Sequence, residues 1–452
     1  MTHDVPAYLL SVGLENVRCF KKREVLELFN EQGSPARWTI ILGENGVGKT
    51  TLLQCIAHLA GVVATHFSHG DEHPHSDELA GLSRDGGAFR LTATIALGST
   101  FDNINPQRDT IPLELRVNPA YKQNGDTKEN FARSEHCKGV DIDKLPEDHL
   151  AWMLPTITPT IFCLGYGASR RMGKGDMTES ESDDLTLSLF QDDTPLFNAE
   201  EWLVRADYAD RVNKTDRFER TKALLIDLLP GVEDFRIIGL DGRRLKPAVE
   251  AMTPFGWVPV RGLSLGYRTL IAWMVHLGSH LDSADLWGHD NPLHTPALVL
   301  IDEIDLHLHP SWQRKLMSYL SERFPNVQFI ATAHSPLIVQ AAADANLAVL
   351  RREGDHVVID NNPRSVRGWR VDQLLTSDLF GLDSARPPQL DALLEERRRL
   401  ATQDELSAED EARLEAITEE LESLPYGVDS DEIEARDLIK RFAKHLKKSP
   451  TL

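Results

Sequence analysis

The sequence predicts an α/β fold: a mixed sheet bearing a phosphate loop, with an inserted helical lobe and a helical C-terminal extension. Three observations predict it. The apolar strand Trp38-Thr39-Ile40-Ile41-Leu42 runs into the Gly-rich segment Gly43–Thr50, which opens a helical run from Thr50 to about Leu59. The run Ala297-Leu298-Val299-Leu300-Ile301 is too continuously apolar to have a wet face, as in a strand covered on both sides, and it ends in Asp302-Glu303. A further buried strand, Val327–Thr332, is followed at once by the turn Ala333-His334-Ser335-Pro336.

The chain opens with two strand-like stretches inside residues 8–28, Tyr8–Val12 and Val25–Leu28. The phosphate loop then reads Gly43, Glu44, Asn45, Gly46, Val47, Gly48, Lys49, Thr50, with Thr51 directly after it. Its glycines let backbone N–H groups turn inward around phosphate oxygens, at the positive end of a helix. Lys49 is placed to neutralise β- and γ-phosphates, and the Thr50 hydroxyl to reach Mg²⁺. The bound nucleotide implied is ATP with Mg²⁺. Beyond the helix, His66, His69, His73 and His75 are interleaved with acids but match no zinc spacing, and Gly70 and Pro74 predict a loop.

Phe89–Leu97 and Leu113–Val117 alternate as strands, and Ile161–Leu164 returns to core before Gly165-Tyr166-Gly167-Ala168-Ser169-Arg170-Arg171. The acidic, Ser-rich stretch from Gly173 to Asp193 predicts a mobile loop. Residues Glu200–Leu229 have helical spacing, with Trp202, Leu203, Leu224, Leu225, Leu228 and Leu229 as the apolar face. Leu263-Ser264-Leu265-Gly266-Tyr267 opens an apolar helix carrying Leu270, Ile271, Trp273, Met274 and Leu277. At the end of the Ala297–Ile301 strand, Asp302 is suited to hold Mg²⁺ through its water shell and Glu303 to polarise an attacking water. After His334 come Leu347–Leu350 and Val357–Ile359, then a charged helical region from about Gln389. There Leu390, Leu393, Leu394 and Leu400 form one stripe; Leu414, Ile417, Leu421 and Leu424, after a cap at Ser407, form a second; Ile433–Leu446 forms a third.

The 452 residues carry a formal net charge of −21, which repels nucleic acid except at a local basic face or through a partner. Candidate faces are Lys21-Lys22-Arg23, Arg170-Arg171 with Lys174, and Arg243-Arg244 with Lys246. Cys19, Cys55, Cys137 and Cys163 are scattered and suggest neither a disulfide framework nor a zinc ribbon. Without a signal-like N-terminus or a membrane-length apolar run, the expectation is a cytoplasmic protein with no membrane partner.

The phosphate loop, the L-S-x-G turn at Leu263–Gly266, Val299–Glu303 and His334, in that order, resemble the Walker A, signature, Walker B and switch motifs of the ABC ATPases. Glu44-Asn45-Gly46, the Arg18-Cys19-Phe20 turn, Gly165-Tyr166-Gly167 with Arg170, and His307-Leu308-His309-Pro310 with Trp312-Gln313 narrow the resemblance to the compact SMC/RecF-like branch. Val371–Leu382 is similar to the ATPase subunits of Septu-type and retron-associated anti-phage systems. The resemblance implies an ABC-type P-loop ATPase head. In it His334 contacts the γ-phosphate, while Ser264 and Gly266 meet a γ-phosphate bound to a second subunit and Asp305 crosses the seam, so ATP closes a homodimer or a higher assembly. It implies a separate HNH-type nuclease as partner and no nuclease in this chain, where Glu353, Asp355 and Asp360 lie beside Arg351-Arg352. The implied division is an ATPase lobe over 1–172, an acidic loop and helical lobe over 173–261, the signature-to-switch segment over 262–360, and an extension over 361–452. The family's Q-loop glutamine could be Gln107 or Gln191. Alternative readings are a RecF-like repair ATPase acting directly on DNA, and a nucleotide-sensing assembly scaffold.

Overall fold

The computed structural model describes residues 3–68, 81–98, 100, 104, 110–117, 137–138, 157–173, 184–239, 247–285, 289–342, 344–363, 366–382, 384–385, 387–402 and 407–423. The chain divides into two compact units, Met1–Gly381 and Leu382–Leu452.

A six-stranded sheet centres the first unit, in the order His356–Asp360, Asn346–Glu353, Trp38–Gly43, Val327–Thr332, Ala297–Ile301, Cys163–Tyr166. Only the edge pair is antiparallel; the other neighbours run parallel, so the sheet is mixed as expected. Every residue of Ala297–Ile301 and of Val327–Thr332 is buried, which accounts for the unbroken apolar run of the first and for the mainly apolar second, where Gln328 and Thr332 are the polar exceptions. Side chains alternate between two cores. Ile40, Leu42, Val299 and Ile301 face one; Ile41, Leu298, Leu300 and Ile330 face the other.

The second core also takes the helix Lys49–Ser68, through Leu52, Leu53, Ile56 and Leu59, and a second sheet. That sheet is built on His3–Glu15, which pairs antiparallel with Glu24–Glu27 and with Phe89–Leu97 and parallel with Ile157–Thr160. Thr110–Val117 and Cys137–Lys138 extend it. The fully buried Gln328 joins the two sheets: its Oε1 accepts the Leu9 amide at 2.9 Å, and its Nε2 donates to Leu9 O at 2.8 Å and Ala36 O at 3.3 Å.

The first core holds the helical lobe. The helical region expected over Glu200–Leu229 is two helices, Ala199–Asn213 and Arg217–Leu228. They part at Lys214, which is left-handed (φ 56°), and Asp210 accepts the Arg217 and Phe218 amides beyond the break. A three-stranded antiparallel sheet follows, Gly256–Pro259, Ala248–Thr253 and Asp234–Ile238, and then the helix Leu265–Ser283.

The acidic stretch corrects the sequence expectation in part. Residues 174–183 lie outside the described residues, but 184–193 are ordered, with one 3₁₀ turn at Leu187–Leu189 and Leu189 buried. The reason is local polar satisfaction: Gly165 N–H donates to Leu185 O, Ser188 Oγ donates to Gly165 O, and Gly167 N–H donates to Ser188 Oγ.

In the second unit, Pro388–Ala401 and Ala408–Ser423 pack through Leu400 and Ile417, flanked by Leu390, Leu393, Leu394 and Leu414. Ser407 Oγ accepts the Asp410 amide at 3.1 Å, and Arg413 pairs with Glu396 at 2.7 Å. Leu424 and the stripe Ile433–Leu446 lie outside the described residues, as do His69, His73, His75 and Gln107. Among the described residues no helix is long and apolar enough to cross a membrane.

Candidate active site

The loop between the strand Trp38–Gly43 and the helix Lys49–Ser68 needs its glycines. Gly43, Gly46 and Gly48 have φ of 148°, 80° and 92°, where L side chains are strained. Around Gly46 a Cβ would meet nothing within 4 Å, so this part of the cradle is open; at Gly48 a Cβ would stand 2.3 Å from Cys19 Sγ. Glu44 and Asn45 are exposed on the loop and Val47 is buried beneath it. The Arg18-Cys19-Phe20 turn therefore buttresses the loop from below. Thr51 takes part in that support, since it is buried and its hydroxyl accepts from Arg18 Nη1 at 3.2 Å.

Lys49 is 7% exposed and donates to Gly43 O at 2.9 Å and Glu44 O at 2.8 Å. Burial pushes its pKa down, and the nearby Asp302, Glu303 and Asp305 carboxylates oppose that shift. An ammonium held so close to its own loop carbonyls is suited to exchange them for phosphate oxygens.

Asp302 is buried and accepts two hydroxyls: Thr50 Oγ1 at 2.6 Å on Oδ2 and Thr332 Oγ1 at 2.6 Å on Oδ1. The Thr332 oxygen in turn accepts the Glu303 amide at 2.7 Å. Glu303 is left-handed, with φ of 49°. A hydroxyl and a carboxylate joined across strand and helix are a hard-oxygen donor pair, which fits Mg²⁺ with water completing its shell. Behind them Arg170 donates Nη1 to Asp302 O at 2.5 Å and Nη2 to Glu303 O at 2.8 Å.

His334 is exposed, and its amide donates to Asp305 Oδ1 at 3.1 Å. Gln313 Nε2 donates to Asp305 O and Leu308 O, and Ser335 Oγ donates to Gln313 Oε1 at 2.6 Å, so one side chain ties the two turns together. Lys49, Thr50, Asp302, Glu303, Asp305 and His334 thus share one end of the central sheet, at the carboxyl ends of its parallel strands. Ser264 and Gly266 pack elsewhere. A Cβ on Gly266 would meet His307 O at 2.8 Å, Tyr267 lies edge-on to Trp312 at 4.9 Å, and Ser264 is exposed with no capping bond from its side chain.

One basic candidate is corrected. Arg170 is 2% exposed and turned inward, so it belongs to no nucleic-acid face. Lys21 is paired with Asp355 at 2.8 Å, Gln191 is exposed, and Lys174, Arg243, Arg244 and Lys246 lie outside the described residues. The sequence reading missed Thr332, Gln313 and the inward aim of Arg170. Thr332 ends a strand whose other residues are apolar except Gln328, directly before the His334 turn, and that position was the available signal.

Two family profiles match: one described as "AAA domain" over residues 11–108, the other as "AAA domain, putative AbiEii toxin, Type IV TA system" over residues 179–340. The first covers the phosphate loop; the second covers Ser264, Asp302, Glu303 and His334. The chain is similar to the Septu protein PtuA of Bacillus mycoides (strain KBAB4), 27% identical over 360 residues, covering 79% of this chain and 42% of that protein. It is similar to the Septu protein PtuA of Bacillus thuringiensis, 26% identical over 375 residues, covering 81% and 84%. It is also similar to the "Retron Ec83 probable ATPase" of Escherichia coli, 34% identical over 156 residues, covering 34% and 28%. The chain thus spans less than half of the first of these relatives and most of the second. The resemblance to Septu and retron ATPases read from the sequence is borne out; the AAA matches enclose the phosphate loop, the L-S-x-G turn, Val299–Glu303 and His334, while Gly165–Arg170 and Val371–Leu382 lie outside them.

Proposed function

We propose that this chain is an ATP-hydrolysing, ABC-type ATPase that dimerises around ATP and controls a partner nuclease in anti-phage defence. The observation that carries the reading is the hydrogen-bonded series Thr50–Asp302–Thr332–Glu303, which ties the phosphate loop to the Asp302 carboxylate and to the Glu303 backbone amide. Glu44, Asn45, Gly46 and Val47 with Gly48 wrap the phosphates, and Lys49 neutralises their outer oxygens. Thr50 and Asp302 would hold Mg²⁺, which when bound would supply positive charge to the phosphate oxygens. Glu303 takes the proton of the attacking water, and His334 contacts the γ-phosphate.

Ser264 and Gly266 act on the nucleotide of a second copy. An exposed serine at the start of the 19-residue helix Leu265–Ser283 supports this, because a hydroxyl that makes no capping bond and the helix N-terminus suit a phosphate. The nuclease reading rests on the similarity to Septu and retron proteins. With a net charge of −21, DNA contact is assigned to the partner rather than to this chain.

The test is molecular mass by light scattering with ATP and Mg²⁺. Glu303→Gln, which slows hydrolysis, should accumulate as a dimer, and adding Ser264→Arg should return it to monomer while ATP binding persists. A Ser264→Arg protein that still dimerises on ATP overturns the trans-acting turn. Co-purification with ATP then asks for a stoichiometric HNH-type nuclease, and its absence removes the nuclease from the reading.

A further inference from the structure

Arg170 sits in the turn after the strand Cys163–Tyr166, itself left-handed with φ of 35°. Its guanidinium is buried and forked, with Nη1 on Asp302 O, Nη2 on Glu303 O and a longer bond from Nη1 to Gly167 O at 3.4 Å. Its Nε is buried without a hydrogen-bond partner among the described residues. The carbonyls it grips are those of Asp302, whose carboxylate bonds Thr50, and of Glu303, whose carboxylate acts electrostatically on Lys49. On its other side the Cζ lies 5.5 Å from the ring centre of Trp273, in the helix that Ser264 and Gly266 begin.

Glu303 needs such a grip. A left-handed glutamate costs roughly 1–2 kcal/mol and persists only where its surroundings over-determine it. Three contacts fix its peptide groups: Thr332 accepts the amide, and the carbonyl accepts from Arg170 at 2.8 Å and from the Leu306 amide at 3.0 Å, the latter within the turn itself. We propose that Arg170 is a positioning residue for hydrolysis: it clamps the Asp302 and Glu303 carbonyls so that the Glu303 carboxylate keeps its aim, and Trp273 joins that clamp to the helix begun by Ser264. A planar fork with two parallel donors is required, because a single ammonium cannot grip two successive carbonyls in the same geometry. The inference rests on the reading of Glu303 as general base.

The experiment compares wild type, Arg170→Lys, Glu303→Gln and the double variant in ATP affinity, single-turnover hydrolysis and denaturation midpoint. Arg170→Lys keeps the charge and removes the fork. Its ATP affinity should stay within about twofold while its hydrolysis rate falls on the order of tenfold to a hundredfold, as for a misplaced catalytic group. In the Glu303→Gln background the same substitution should change the rate by no more than about twofold, because both act through one carboxylate. Wild-type hydrolysis in Arg170→Lys, a fall that multiplies with that of Glu303→Gln, or an equal loss of ATP affinity overturns the clamp. If Glu303→Gln itself hydrolyses normally, the general base is misassigned and the clamp falls with it; a slow Glu303→Gln beside a normal Arg170→Lys sinks the clamp alone. Should Arg170→Lys not fold, Trp273→Phe decides by the same comparison, with a smaller fall expected in the hydrolysis step and none in affinity.

Discussion

Thr332 Oγ1 stands between the two acidic residues of the site, donating to Asp302 at 2.6 Å and accepting the Glu303 amide at 2.7 Å. One hydroxyl thereby sets the rotamer of one carboxylate and the backbone of the other. Thr332→Val is nearly isosteric but breaks both bonds. It should lower hydrolysis and reduce stability by about 1–3 kcal/mol, since the buried Asp302 carboxylate and the part-buried Glu303 amide each lose a partner. Thr332→Ser should restore most of each. Steady-state ATPase assays beside urea titrations check this, and a fully active Thr332→Val would remove the bridge from the account.

Gly48→Ala should abolish nucleotide binding. The added methyl meets Cys19 Sγ at 2.3 Å on a backbone with φ of 92°, so both sterics and conformation oppose it. Cys19→Ala in the same chain relieves only the contact and should restore binding in part. Fluorescent ATP-analogue titrations of the single and double variants separate the two costs.

Gln328→Leu should destabilise the whole first unit while leaving the phosphate loop's sequence untouched. The register of His3–Glu15 against Phe89–Leu97 shifts between Leu9 and Ser11, and Gln328 serves both backbone groups of Leu9 there. Leucine leaves them unpaired in a dry interface, a cost of about 2–5 kcal/mol. Denaturant midpoints measure it, and a change below about 0.5 kcal/mol would contradict the structural role.

Acid should weaken the fold through a half-buried histidine pair. Burial pushes His280 down to about 4 and His276 well below the ordinary imidazole range, with His280 adding to the latter. Both are neutral in the folded state, whereas the unfolded chain takes up protons near pH 6.5. Their contribution is thus whole above about pH 6.5 and is lost as pH falls toward about 4, on the order of 3 kcal/mol for His280. His280→Phe should flatten the stability difference between pH 7 and pH 5 in denaturant titrations. An unchanged difference would show that other groups set it.

The phosphate loop was legible because its chemistry is contiguous: glycines, lysine and threonine act on one ligand within one turn, and no distant contact is needed to recognise them. The strands Ala297–Ile301 and Val327–Thr332 were legible for a related reason, since burial on both faces leaves the first wholly apolar and the second apolar except at Gln328 and Thr332. Composition misled where polar residues are satisfied internally. Asp184–Asp193 reads as a loop, yet the Ser188 hydroxyl folds it onto Gly165 and Gly167.

By itself the sequence determined the α/β class, the motif order and the residues that gather at the sheet's carboxyl end, because these follow from local pattern and period. Only the tertiary structure decided which way Arg170 points, how Thr332 joins Asp302 to Glu303, and that Gln328 fastens one sheet to the other. Arg170 and Asp302 stand 132 positions apart, and Gln328 and Leu9 stand 319 apart. A side chain's direction at such separations is set by which buried carbonyls and amides lack a partner once the core has closed, and that need does not exist in the unfolded chain.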